Sequence, residues 1–109
     1  MSDRFESLSA FYPYYLGEHK NGTCRALHFF GSSLVLTLLG VGFLTSHHGV
    51  LWFLLIAGYG PAWAGHFFFE KNRPATFQYP LYSFVSDWLM FKDILIGRVP
   101  LFGRFPKPS

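Results

Sequence analysis

Residues 26–69, ALHFFGSSLVLTLLGVGFLTSHHGVLWFLLIAGYGPAWAGHFFF, contain no Asp, Glu, Lys or Arg, although Arg25 and Glu70 stand immediately on either side. A bilayer core about 30 Å thick is crossed by roughly 20 apolar helical residues, so this stretch has room for two spans and a tight turn. The first predicted span covers 26–44, Ser46-His47-His48-Gly49 makes the turn, and the second span covers 50–69. Within the second, Gly58, Gly60 and Pro61 predict a kink, because Pro61 has no N–H to donate to the carbonyl of Ala57. The fold class is therefore read as an all-α integral membrane protein, a transmembrane helical hairpin with flanking interfacial helices.

Composition supports lipid as the solvent. The chain has 109 residues, 50% hydrophobic and 21% aromatic, with 14% charged, against roughly 25% charged in an ordinary soluble domain. Disorder is excluded, and the length suits one membrane domain, 1–109. The net charge of +3 comes from small basic clusters beside apolar segments, without a basic helix or aromatic RNA-binding motif, so membrane headgroups are the expected partner and nucleic acid is not. The single cysteine, Cys24, excludes an internal disulfide and a CxxC site. The N-terminus lacks the long apolar run of a secretory signal peptide. Asn21-Gly22-Thr23 spells a glycosylation acceptor, but so short a pattern beside a predicted span is read as a helix break with Asn21 or Thr23 as N-cap.

The flanks are read as interfacial. Residues 5–20 are aromatic and interrupted by Pro13. Residues 81–96, LYSFVSDWLMFKDILI, place Ser83, Ser86, Asp87 and Asp93 on one helical stripe. A full crossing there would bury two aspartates and Lys92, so an interfacial or partly inserted helix fits better. Asp87 either faces headgroup water or turns inward toward a histidine N–H. Residues 97–109 read as an irregular tail. Two crossings put all nine Lys and Arg residues on one side, which the positive-inside rule makes cytoplasmic. The expected location is the inner (plasma) membrane in a bacterium or the endoplasmic reticulum membrane in a eukaryote.

The chemistry is expected at the cytoplasmic edge. His19 and His28 flank the start of the first span and His66 lies one turn before the end of the second, so the hairpin brings them together. His47 and His48 fall in the opposite turn, about 30 Å away. Glu70 follows His66 by four residues, and on a continuing helix both side chains share a face and reach one ion. Gly58 and Ala62 on one span, and Gly31 and Ser32 on the other, let two helices approach closely at that depth. The same small-residue surface is compatible with a homodimer. Imidazole suits zinc, copper and iron alike, and two histidines with one carboxylate and open positions form the non-haem Fe(II) oxygenase pattern. No GxSxG, P-loop, GxGxxG or HExxH motif offers a rival chemistry.

Two blocks carry a family resemblance: His19-Lys-Asn-Gly-Thr-Cys-Arg-Ala-Leu-His28, and Trp63-Ala-Gly-His66-Phe-Phe-Phe69-Glu70-Lys71-Asn-Arg73-Pro74-Ala75. They resemble the fungal 2-hydroxy fatty acid dioxygenases of phytosphingosine breakdown and their small bacterial relatives. The resemblance implies a membrane enzyme that uses Fe(II) and O2 to shorten a 2-hydroxy fatty acid by one carbon. By matching position its ligands are His19, His28 and His66, with Glu70 as ligand or catalytic base. Fungal members are longer, and a further histidine that the family carries three residues before the first is Leu16 here.

A 2-hydroxy acid can chelate Fe(II) through its carboxylate and hydroxyl oxygens. Its tail is expected beside Trp63, Phe67 and Phe68, and its carboxylate near Arg25, Lys71 or Arg73 at headgroup depth. Two other readings remain open on the residues alone. One is a non-catalytic lipid-binding or assembly protein whose histidines are structural. The other is a haem held between His28 and His66.

Overall fold

The computed structural model describes residues 5–103 and 105, and among these every regular element is helical. Helix α1 (Leu8–Gly17) starts at Ser7, whose hydroxyl accepts from the N–H of Ala10. Pro13 lies inside it without ending it. Helix α2 (Gly22–Leu44) starts at Asn21, whose Oδ1 accepts from the N–H groups of Thr23 and Cys24 at 2.8 and 3.2 Å. That bond satisfies two donors a helix leaves open at its first turn, and it settles Asn21 as the cap.

The second apolar segment is a composite. It runs from His48 to Glu70 as a 3₁₀ turn (His48–Phe53), helix α3 (Leu54–Ala64) and a π turn (Gly65–Glu70). Pro61 sits within α3, and the departure from α geometry falls beyond it, at Gly65. Both α2 and this composite are long and apolar enough to cross a membrane. A short 3₁₀ turn (Ala75–Phe77) leads to α4 (Pro80–Leu95), which opens with Pro80 in its first turn, where the missing N–H costs nothing.

Helices α2 and α3 meet along small residues. Gly42 lies against Leu51, Gly31 against the carbonyls of Ala57 and Gly58, and Gly65 against Cys24, so the two segments run antiparallel. A Cβ on Gly31 would sit 2.8 Å from the Ala57 oxygen, the carbonyl that Pro61 leaves without its helical donor. Gly31, Gly42 and Gly65 are thus used in packing within the chain. At the other end Leu44 is 85% exposed and Trp52 88%.

The core lies to one side of this pair. Phe11 and Tyr15 of α1, Ala75 and Met90 of α4 form a buried cluster bordered by Phe5, Tyr79, Tyr82 and Ile94. Ser83, Ser86 and Asp93, three members of the polar stripe on α4, are buried. The described part of the tail is irregular but pinned. Val99 is buried, and the Phe105 N–H donates to the Lys20 carbonyl at 3.2 Å.

Gly31→Val should cost about 1–3 kcal/mol through overpacking, whereas Gly40→Val, whose Cβ meets nothing within 4 Å, should be close to neutral. Thermal unfolding of both variants in detergent checks this, and equal midpoints would show that the close α2–α3 approach is dispensable.

Candidate metal centre

His19 follows the end of α1, His28 lies in the second turn of α2, and His66 occupies the π turn. Their rings converge. His19 Nε2 is 3.1 Å from His28 Nε2 and 2.9 Å from His66 Nε2. The rings are close to mutually perpendicular, at 84°, 77° and 86°. His19 and His66 are essentially fully buried, and His28 is buried too.

What aims them is the other nitrogen of each ring. His19 Nδ1 faces the Tyr15 carbonyl at 2.6 Å, His28 Nδ1 the Cys24 carbonyl at 2.9 Å, and His66 Nδ1 the Asn72 Oδ1 at 2.7 Å. The carbonyl oxygens accept only, so His19 and His28 carry their proton on Nδ1. Asn72 is fixed the same way round, because its Nδ2 donates to the carbonyl and carboxylate of Glu18 at 3.1 and 3.2 Å. Three bare Nε2 lone pairs therefore point at one another with no proton to share. Burial also holds His19 well below its usual pKa, so the ring stays neutral and supplies no bridging proton.

Three facing acceptors in a dry interior repel unless a cation lies between them. Donors about 3 Å apart are what two imidazoles at roughly 2.1 Å from a common ion and about 90° apart present. The rings border a cavity of about 20 Å³, enough for one water-sized occupant. The donor set fits a divalent transition metal. It does not fit a porphyrin, because the His28 and His66 centroids are 4.9 Å apart and their planes cross at 86°, leaving no room for a haem plane between them.

Cys24 joins the same buried group. Its thiol lies 3.8 Å from His28 Nδ1, on the protonated edge of that ring, and its α-carbon and sulfur pack where a Cβ on Gly65 would be. Glu70 stands outside the group. Its carboxylate accepts from the Asn21 N–H, tying the end of the π turn to the start of α2. Glu70 closes the π turn, and its carboxylate is spent on that bond to the start of α2 rather than on the histidine group. The chain then reverses through Lys71, whose φ of 62° is left-handed. That reversal lets the Asn72 N–H donate to the His66 carbonyl at 3.0 Å while its side chain holds the ring. A non-glycine residue in that conformation is uncommon, and such strain collects at functional sites.

The cationic candidates are spread out. Lys71 and Arg73 are exposed. Arg25 is completely buried. It donates to the carbonyls of His19, Lys20 and Pro100, each within 2.9 Å, and to that of Gly103. Four of a guanidinium's five N–H groups are used there, binding the tail to the turn that carries His19. Trp63 borders the histidine cavity and meets Phe77 edge-to-face at 5.2 Å. His47 and His48 lie at the far turn, where His48 Nδ1 bonds the Gly42 carbonyl at 2.5 Å.

Five further residues surround the histidines: Tyr15, Asp87, Thr76, Ser83 and Asn72. The Tyr15 ring stacks on His19 at 4.1 Å and its hydroxyl donates to Asp87, so Asp87 turns inward. Burial pushes the Asp87 carboxyl up to about 7, partly offset by that hydrogen bond. Thr76 and Ser83 border the same cavity, and their buried hydroxyls have no partner. Asn72 stands inside the 63–75 block, but six residues after His66 it has no helical relation to it, and only the left-handed turn at Lys71 reveals the pairing.

The buried group of His19, Cys24, His28 and His66 could hold a metal ion in an all-helical protein. The chain belongs to the family described as 2-hydroxy-palmitic acid dioxygenase Mpo1-like, whose model matches residues 5–99. No curated protein and no solved structure matches it.

Replacing the Asn72 acceptor should weaken metal binding about 10–100-fold in Asn72→Leu, with Asn72→Asp retaining most of it. Competition between the protein and a chromophoric chelator for Co(II) measures this. Unchanged affinity in Asn72→Leu would show that the His66 ring needs no anchor.

Proposed function

We propose that the protein is a membrane-bound, non-haem Fe(II)-dependent dioxygenase that shortens 2-hydroxy fatty acids by one carbon. The observation that carries this reading is the convergence of three bare Nε2 atoms in a chain of this family. His19, His28 and His66 would hold the metal. Bound Fe(II) supplies the one-electron chemistry through which O2 reacts with a closed-shell organic acid. Overall, R–CH(OH)–COOH and O2 give R–COOH, CO2 and H2O, a balance that needs no external reductant.

The chain's own part is positioning. Three neutral imidazoles leave the charge of a divalent ion uncompensated, which favours an anionic substrate such as a carboxylate. Thr76 and Ser83 offer hydroxyls to the substrate's oxygen atoms, and Asp87 offers a carboxylate already oriented by Tyr15. Glu70, through the Asn21 N–H, and Arg25, through the carbonyls of His19 and Lys20, hold the turn that presents His19. In this reading Glu70 is a positioning residue. Lys71, Arg73 and Trp63 remain candidates for guiding the acid to the mouth of the site.

The membrane reading places α2 and the 48–70 composite across the bilayer as a hairpin. Segments 5–20 and 81–96 would lie at the cytoplasmic interface, and the site at that edge. Apolar exposure supports it: Phe43, Leu44, Trp52, Leu55 and Ile56 cluster at the far end with more than two thirds of their surface free, a patch that water would penalise.

Iron content and turnover of anaerobically reconstituted protein with 2-hydroxyhexadecanoic acid test the proposal. The expected outcome is near-stoichiometric iron and a pentadecanoic acid product that carries label from ¹⁸O2, both lost in His66→Ala. Iron retained at wild-type stoichiometry in His66→Ala, or no O2 consumption by the loaded wild type, would overturn it.

A further inference from the structure

Two cavities meet at Asp87 and Tyr59, which border both. One is the small chamber at the histidine nitrogens. The other has a volume of about 290 Å³ and lies between α2, α3 and α4, walled chiefly by Val35, Leu39, Leu54, Leu55, Phe84 and Trp88. That volume is close to the roughly 300 Å³ at which ligand sites begin. Leu39 is eleven residues beyond His28 on α2, so at about 1.5 Å per residue the groove reaches some 16 Å from the histidine level. Gly58 keeps its wall thin, since a Cβ there would come 3.3 Å from Val35 Cγ2.

The two ends differ in the residues that line them. The chamber holds two buried hydroxyls with no partner, Thr76 Oγ1 and Ser83 Oγ, beside the Asp87 carboxylate. The groove beyond the neck has apolar walls apart from Ser32, Tyr59 and Asp87 near the chamber. This polarity matches an amphiphile with an oxygen-rich head and one unbranched hydrocarbon tail. Phe67 and Phe68, by contrast, are 47% and 72% exposed and border neither cavity.

We infer that the α2–α3–α4 groove holds the substrate's acyl tail, entered past Tyr59 and Asp87, and that Leu39 and Leu54 at its distal end set the preferred chain length. The inference rests on the proposed reading for the identity of the head group. It corrects the expectation that the tail lies beside Phe67 and Phe68.

A 2-hydroxyhexadecanoic acid carrying a diazirine at its terminal carbon, photolysed with the full chain in phospholipid nanodiscs, tests the route. Labelling should map to residues 35–39 or 54–58 and be suppressed by unlabelled 2-hydroxyhexadecanoic acid, not by added phospholipid. Leu39→Trp should lower the competing strength of the 16-carbon acid relative to the 10-carbon acid by roughly tenfold or more, and Leu39→Ala should not. Labelling centred on Phe67 and Phe68, suppression by phospholipid alone, or an unchanged chain-length ranking in folded Leu39→Trp would overturn the inference. Groove labelling without turnover would refute the reaction and leave the groove; turnover with an unchanged ranking would do the reverse.

Discussion

The site depends on three hydrogen bonds that point away from it. Each histidine gives its Nδ1 proton to an oxygen behind the ring: the Tyr15 carbonyl, the Cys24 carbonyl and the Asn72 side chain. Those bonds choose the tautomer, set the ring plane and leave the Nε2 lone pairs facing inward. Much of the surrounding architecture serves them. α1 carries Tyr15, the Asn21 cap starts α2 in the register that presents His28, and the π turn followed by Lys71 brings Asn72 behind His66.

The cost of this arrangement is electrostatic. Facing lone pairs, buried histidines and two unpartnered hydroxyls are tolerated only where the rest of the fold overdetermines them. The support comes from three sources. Glycine-lined contact between α2 and α3 brings the backbones close, and the aromatic cluster between α1 and α4 closes one side of the chamber. Arg25 adds a third tie by drawing the tail and the 19–20 turn onto one guanidinium. The end of the α2–α3 pair far from the histidines carries few such constraints and is mostly exposed apolar side chains.

Much of this was legible in the sequence because it follows from periodicity and charge. The uncharged run from Ala26 to Phe69 announces two apolar helices, and the histidines at 19, 28 and 66 are the ones an antiparallel pair must bring together. The stripe on α4 was legible too, and three of its members are buried, with Asp87 bonded to Tyr15. What escaped depends on contacts that spacing does not reveal. Glu70 follows His66 by four residues, but its carboxylate is taken by the Asn21 N–H, a bond between distant segments. Asn72 becomes visible as a partner only once Lys71 is known to be left-handed. The role of Arg25 requires knowing that the tail folds back, which proline-rich, aperiodic sequence does not encode locally.

X-ray absorption at the iron edge of the Fe(II)-loaded protein addresses the central claim most directly, because it reports which atoms surround the ion. Three imidazole nitrogens in the first coordination shell, with the remaining positions filled by oxygen donors, is the predicted result. A shell with fewer than two imidazoles, or one dominated by the Cys24 sulfur, would contradict the account.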